Sequence, residues 1–221
     1  MSIERIHLRK LLKIMFLAEG PRRSALRADI REEIARDAGD DGGGGDFYGP
    51  FWADARSHVF ATEDLHATVQ TRIQANGRRR NIYPRLRDGF LRWWTERRRW
   101  TNAPFQPGRQ LKSNFNFTDL QATVKIDSIL SVRDSLGVEH YVYPYFAPEP
   151  VLSDEAARLG LWLLLETLDQ VPPEEIRILD VIRGETFSID RYPLVGTEER
   201  DFIHRYRALL TERATLAEEY D

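Results

Sequence analysis

The sequence predicts a mixed α/β (α+β) protein in which a helical amino-terminal part packs on a small mixed sheet. Three observations carry that prediction. Residues 153–168 read as a helix apolar on nearly every side, and a helix without a polar face must be covered all round. After residue 118 helical spacing gives way to alternation, so that the order becomes strand, strand, helix, strand. A chain of 221 residues is long enough for one well-filled core or for a core with a helical appendage. The expected division is a helical region over 1–105 and an α/β core region over 118–221, forming one unit.

The opening twenty residues mix charge into apolar positions and lack a small-residue cleavage site. They read as an amphipathic helix and not as a signal peptide, with Leu8, Leu11, Leu12, Met15 and Phe16 as its stripe. A second helix begins near Pro21, carries Leu26, Ile30 and Ile34 at steps of four, and stops at Gly39. Residues 40–46 (DDGGGGD) read as a plain loop, since no Lys-Ser/Thr follows the glycines to make a phosphate cradle. The aromatic stretch 47–60 is expected to dock on the core. Thr62 is expected to cap a helix with Leu65, Val69 and Ile73 on one face, closed by Asn76-Gly77. Pro84 opens another, with Leu86, Phe90, Trp93 and Trp94 inward and arginines outward. Residues 101–118 carry three Gly/Pro breaks and read as a linker.

Residues 122–133 (ATVKIDSILSVR) alternate like a strand with one wet face, and 138–146 (VEHYVYPYF) form an aromatic strand. Pro144 marks an edge, an end or a bulge there. Tyr141, Tyr143 and Tyr145 share one face, as a core layer in preference to an aromatic surface. Ser153 caps the central helix, with Asp154 and Glu155 favourable in its first turn. Strands follow over 176–182 and 185–189 around an Arg183-Gly184 turn. Thr197 caps a last helix whose stripe is Phe202, Ile203, Tyr206, Leu209, Leu210 and Leu216.

Composition narrows the chemistry. The absence of cysteine excludes disulfides, thiolate catalysis and Cys-based zinc sites. No apolar run approaches the roughly 20 residues of a membrane span, so no membrane partner is expected, and the cytoplasm is the expected compartment. The five histidines form no HxH or HxxxH pair, and no G-x-S-x-G elbow is present. His58 and His66 are read as structural residues. Net charge is −3, yet between Asn76 and Trp100 nine arginines stand against Asp88 and Glu96. Arg78, Arg79, Arg80, Arg85, Arg97 and Arg98 are therefore candidates to hold the phosphates of DNA or RNA, with neighbouring aromatics as candidates to stack on bases. The competing reading is an amphipathic helix whose arginines are solvated or meet acids, and the spacing of Phe90, Trp93 and Trp94 with Leu86 favours an inward aromatic face.

Strand-strand-helix-strand with Asp127 late on the first strand, in Val124-Lys125-Ile126-Asp127, resembles the core of the PD-(D/E)XK nucleases, particularly the branch with a helical amino-terminal portion. The resemblance covers residues 122–182. It implies a divalent metal at Asp127, its site completed by an acid in the second strand, with a lysine two residues on from that acid to help activate water. Here that second strand reads Tyr141-Val142-Tyr143-Pro144-Tyr145, with Tyr143 and Tyr145 in place of the acid and the lysine. In the following helix the branch often carries Gln and, four residues on, Tyr, where this chain has Arg158 and Trp162. One carboxylate does not make a magnesium site, and Glu139 joins it only in a different strand register. The resemblance thus implies a degenerate relative that retains the scaffold, with no cofactor and no metal-dependent cleavage. The leading expectation is a non-catalytic protein that binds nucleic acid or serves as an accessory factor. The alternatives are a protein-interaction or self-associating module, and an enzyme with an unrecognised site.

Overall fold

The computed structural model describes residues 2–39 and 46–220. β1 (Arg5–His7) runs into α1 (Leu8–Phe16), followed by α2 (Glu19–Asp37), α3 (Gly49–Val59), α4 (Leu65–Ala75) and α5 (Tyr83–Arg92). Then come β2 (Gln106–Pro107), β3 (Ser113–Phe117), β4 (Ala122–Ile126), β5 (Leu130–Arg133) and β6 (Glu139–Tyr145). α6 (Asp154–Thr167), β7 (Ile176–Asp180), β8 (Glu185–Phe187) and α7 (Glu198–Ala217) complete a mixed α/β fold. The strands form two mixed sheets, one ordered β1-β4-β3 and one ordered β2-β5-β6-β7-β8. No helix among the described residues is long and apolar enough to cross a membrane.

The larger sheet separates two apolar layers. Alternation along β6 and β7 sends Tyr141, Tyr143, Tyr145, Ile176 and Ile178 to one side, where α6 packs, with α1 and α7 packed on α6 in turn. Leu130, Val132, Val142 and Leu179 point the other way, against Phe51, Trp52, Tyr83, Leu86, Phe90 and Trp93 of the α3 to α5 region. α6 is the crossover between the parallel strands β6 and β7. Ser153 caps it by accepting from the Ala156 amide at 3.2 Å. The cap is worth about 1 kcal/mol, whereas buried Leu159, Leu161, Leu163 and Leu164 contribute about 2 kcal/mol each. Burial, not capping, holds this helix.

Two glycines set how closely the helices approach. A Cβ on Gly160 of α6 would lie 2.7 Å from Ile178 Cδ1 and 2.9 Å from Leu12 Cδ1. One on Gly89 of α5 would lie 2.2 Å from the Val181 carbonyl oxygen, which is backbone and cannot move aside. The amino terminus is pinned by polar contacts. Asp29, 2% exposed, accepts from the Ile3 amide at 3.0 Å and from Arg213 Nε at 3.3 Å. The Tyr206 hydroxyl donates to the Ile3 carbonyl at 2.6 Å.

Several expectations need correction. Residues 122–133 are two strands in different sheets, broken at Ser128, whose φ is +63°. Side-chain alternation does not register a change of sheet, because both halves keep buried residues at every second position or better. The supposed linker contains β2 and β3. β3 is a strand because Phe115 and Phe117 alternate with exposed Asn114 and Asn116 and pair with β4. Arg5–His7 is a strand paired in parallel with β4, not the first turn of a helix. The cap of α4 is Asp64, which accepts from the Ala67 amide at 3.0 Å; Thr62 instead donates to the Ser57 carbonyl at 2.8 Å. Thr197 precedes α7 without capping it, since its hydroxyl donates to Asp201, and Glu198 takes the Val195 and Gly196 amides. Ile34 is 49% exposed. Gly39 follows α2 at φ +82°, the left-handed stop its position suggests. Pro144 lies past the last β5–β6 pair, Leu130 with Val142, but inside the parallel β6–β7 ladder opposite Leu179, so it marks the end of one ladder only. Of the predicted 40–46 loop, residues 40–45 lie outside the described residues.

Candidate nucleic-acid interface

α5 lies on the five-stranded sheet by Leu86, Gly89 and Phe90, so its opposite side faces solvent. Arg85 and Arg92 stand seven residues apart on that side, about 10 Å along the axis. Arg78 and Arg80 are exposed on the short turn that leads into the helix. The side chains of these four have no hydrogen-bond or ion-pair partner among the described residues, whereas Arg72 is paired with Asp54, Arg87 with Asp88 and Arg99 with Asp190. Exposed guanidiniums without an ion-pair partner are available to an outside anion, with Asp88, held by Arg87, as the carboxylate between Arg85 and Arg92 on the same helix. Arg92 was the member of this group that the sequence did not single out; its seven-residue spacing from Arg85 was the available signal.

The other candidate arginines are engaged. Arg79 lies over the Tyr83 ring at 5.2 Å and donates to the Arg72 carbonyl. Arg97 donates to the carbonyls of Arg183 and Gly184 at 3.1 and 3.2 Å, tying the end of α5 to the β7–β8 turn. Arg98 rests on Trp94, Phe105 and Trp100, and burial pulls its guanidinium below the ordinary arginine value. The aromatics point inward: Trp93 and Trp100 are buried, Trp94 is partly buried, and Tyr83 is covered while its hydroxyl donates to the Phe47 carbonyl. The structure therefore brings arginines together without an exposed row of rings to stack on bases.

Asp127 follows β4, at the point where the chain leaves one sheet for the other. Its Oδ1 accepts from Arg9 Nη1 at 2.9 Å and from the Ser128 hydroxyl at 3.2 Å. His7 Nδ1 lies 3.1 Å away, near enough for an electrostatic contact but off the angle of a hydrogen bond. Burial alone would raise the Asp127 carboxyl; His7 and Arg9 outweigh it and hold it well below the usual carboxylate range. Arg9 also meets Asp46 at 3.2 Å, and its amide donates to the Tyr143 hydroxyl at 2.9 Å. The arrangement ties the start of α1 to the β4–β5 corner. His7 is the histidine near Asp127, and His58 faces the Glu63 carbonyl.

The remaining positions named by the resemblance are scattered. Burial pushes the Tyr143 hydroxyl up to about 12, and the Tyr145 hydroxyl donates to the Pro150 carbonyl at 2.8 Å. Trp162 is buried among Phe115 and Phe202, while Arg158, one turn before it on α6, is partly exposed. Glu139 is held by Arg109, Arg133 and the Tyr141 hydroxyl, away from Asp127. Among the described residues no group of three or more His, Asp or Glu side chains is placed to hold a metal ion. Sequence reasoning also missed His140, buried between Asp134 and Glu175 and stacked on Trp100. A lone histidine in an aromatic strand gives no sign of such partners. Comparison with protein-family models, with curated proteins and with solved structures finds no match.

Proposed function

We propose that this protein binds nucleic acid through the phosphate backbone, on the outer side of α5 and the turn before it, and does not cleave it. The observation that carries this reading is the set Arg78, Arg80, Arg85 and Arg92, exposed and without acidic partners among the described residues in a chain whose net charge is −3. Neutralising phosphates and releasing their counterions is the chemistry such a set offers, and it carries no base preference. Inward packing of Trp93, Trp94 and Trp100 supports positioning contacts over base stacking. Of the PD-(D/E)XK resemblance over residues 122–182, the order β5-β6-α6-β7 within one sheet is the part that supports this reading, since β4, which leads into Asp127, belongs to the other sheet. Asp127 bound to Arg9, and tyrosines at the acid and lysine positions, favour a scaffold without cleavage chemistry.

Binding of a labelled duplex and of a single strand, measured against salt concentration, tests the proposal. Affinity should fall steeply with salt. Changing all four arginines to alanine should flatten the slope of log K against log salt by about three to four, near one for each lost phosphate contact. No binding at low salt, or an unchanged slope in the quadruple variant, rejects it. The four positions are exposed, so the variant should keep its fold.

A further inference from the structure

Trp94, Trp100 and Phe105 are arranged differently from the rings around them. Their centroids are 5.7 Å apart for Trp94 and Trp100, 5.3 Å for Trp94 and Phe105, and 5.7 Å for Trp100 and Phe105. The planes meet at 77°, 63° and 84°, so the rings stand as three walls of a box corner. Trp100, 6% exposed, forms the floor and is backed by the His140 ring at 4.3 Å. Trp94 and Phe105 are partly exposed. Trp94 belongs to a π-helical turn, Trp93–Arg97, a widened turn of the kind found often at functional sites.

The corner holds a cation from the same chain. The Arg98 guanidinium carbon is 3.8 Å from the Trp94 centroid, 4.5 Å from Phe105 and 5.7 Å from Trp100. Ring faces attract a cation of any kind. A guanidinium, however, also brings N–H donors, and Arg98 Nε and Nη1 are buried with no acceptor among the described residues. Donors buried without acceptors destabilise the arrangement, and this corner shows none to offer. A quaternary ammonium carries the charge with no N–H to satisfy, so a box of ring faces suits it better than it suits arginine.

We propose that Trp94, Trp100 and Phe105 form a binding site for a quaternary ammonium group, with Arg98 as a resident that the ligand displaces. The site is separate from the four arginines assigned to nucleic acid and stands or falls without them.

The test is a titration of the intact protein with tetramethylammonium chloride, following the indole N–H resonances of Trp94 and Trp100. The neutral isostere 3,3-dimethylbutanol and sodium chloride at equal ionic strength serve as controls. Saturable shifts with tetramethylammonium alone support the site. No saturable shift, or equal shifts with the neutral isostere, overturns it. Arg98→Ala removes the internal competitor and should tighten binding about tenfold, as expected when the binding-competent fraction rises; unchanged affinity in a folded variant overturns the displacement. If Arg98→Ala does not fold, Arg98→Met takes its place, and the wild-type titration decides in either case. Parallel titrations with choline and with a trimethyl-lysine peptide identify the source: preference for the peptide indicates a modified protein, equal affinity a free small molecule.

Discussion

On one face of the five-stranded sheet the direct cover is a leucine-rich helix from nearby chain. α6 connects the two strands it lies on, and Leu159, Leu161, Leu163 and Leu164 fill the space between them and α1 and α7. On the other face the cover is aromatic and comes from chain well before the sheet, with Phe51, Trp52, Tyr83, Phe90 and Trp93 in edge-to-face contact. The close approach also differs in kind. Gly160 meets the tips of Ile178 and Leu12, whereas Gly89 meets main-chain carbonyls of the β7–β8 turn. A side-chain tip can rotate away, and a hydrogen-bonded turn cannot. The aromatic layer is thus seated on a rigid point, which fixes the arginines on its outer side relative to the sheet.

Alanine at the two glycines separates these cases most sharply. Alanine improves helix propensity by up to about 1 kcal/mol at either site, so any loss reports the contact. Gly89→Ala should cost at least about 3 kcal/mol in urea unfolding and redshift tryptophan emission as the aromatic layer lifts. An effect below that of Gly160→Ala would reverse the comparison. Asp29→Ala comes next, at about 2 kcal/mol, because it leaves the buried Ile3 amide without its acceptor, while Arg213 keeps Glu4 and Glu33. Its damage should appear in hydrogen exchange of β1 and α7 and spare α5. Gly160→Ala should cost about 1 to 2 kcal/mol, since Ile178 and Leu12 can repack.

The smallest expected effect concerns Glu139 on the rim of the sheet. Burial pushes its carboxyl up, but bonds from Tyr141, Arg133 and Arg109 outweigh that and hold it at about 2. A carboxyl depressed in the folded state contributes stability that is complete above its unfolded value of 4.5 and is lost as pH falls through about 2. Wild-type protein should therefore lose more stability on acidification over that interval than Glu139→Gln. Parallel urea midpoints would assign the acid sensitivity elsewhere, with Asp127 the next carboxylate to examine.

The sequence made the aliphatic side legible and the aromatic side only in outline. α6 could be read because it is apolar all round, and the inward Tyr141, Tyr143 and Tyr145 because they alternate. The change of sheet at Ser128 was not readable, since it depends on a backbone angle that no residue type at that position demands. β1 was hidden because three residues before an amphipathic helix share its composition. The arginines could be counted but not sorted, because whether one is free, caps a turn or lies on a ring depends on partners distant in sequence. Arg97 and Arg98 are adjacent, yet one serves the Arg183 and Gly184 carbonyls and the other an aromatic corner.

The polar pin at the amino terminus also sets an order of events during synthesis. Ile3 is bonded to Tyr206, 203 positions later, and β1 waits for β4 before it has a neighbour. Ile3, Ile6 and Leu8, all fully buried at the end, thus leave the ribosome long before β4 and α7 can cover them. Such long-range closure slows folding and leaves apolar surface open to association meanwhile. The β6–α6–β7 unit is nearly self-contained in sequence and can assemble as soon as it emerges, giving the first residues a surface on which to settle last.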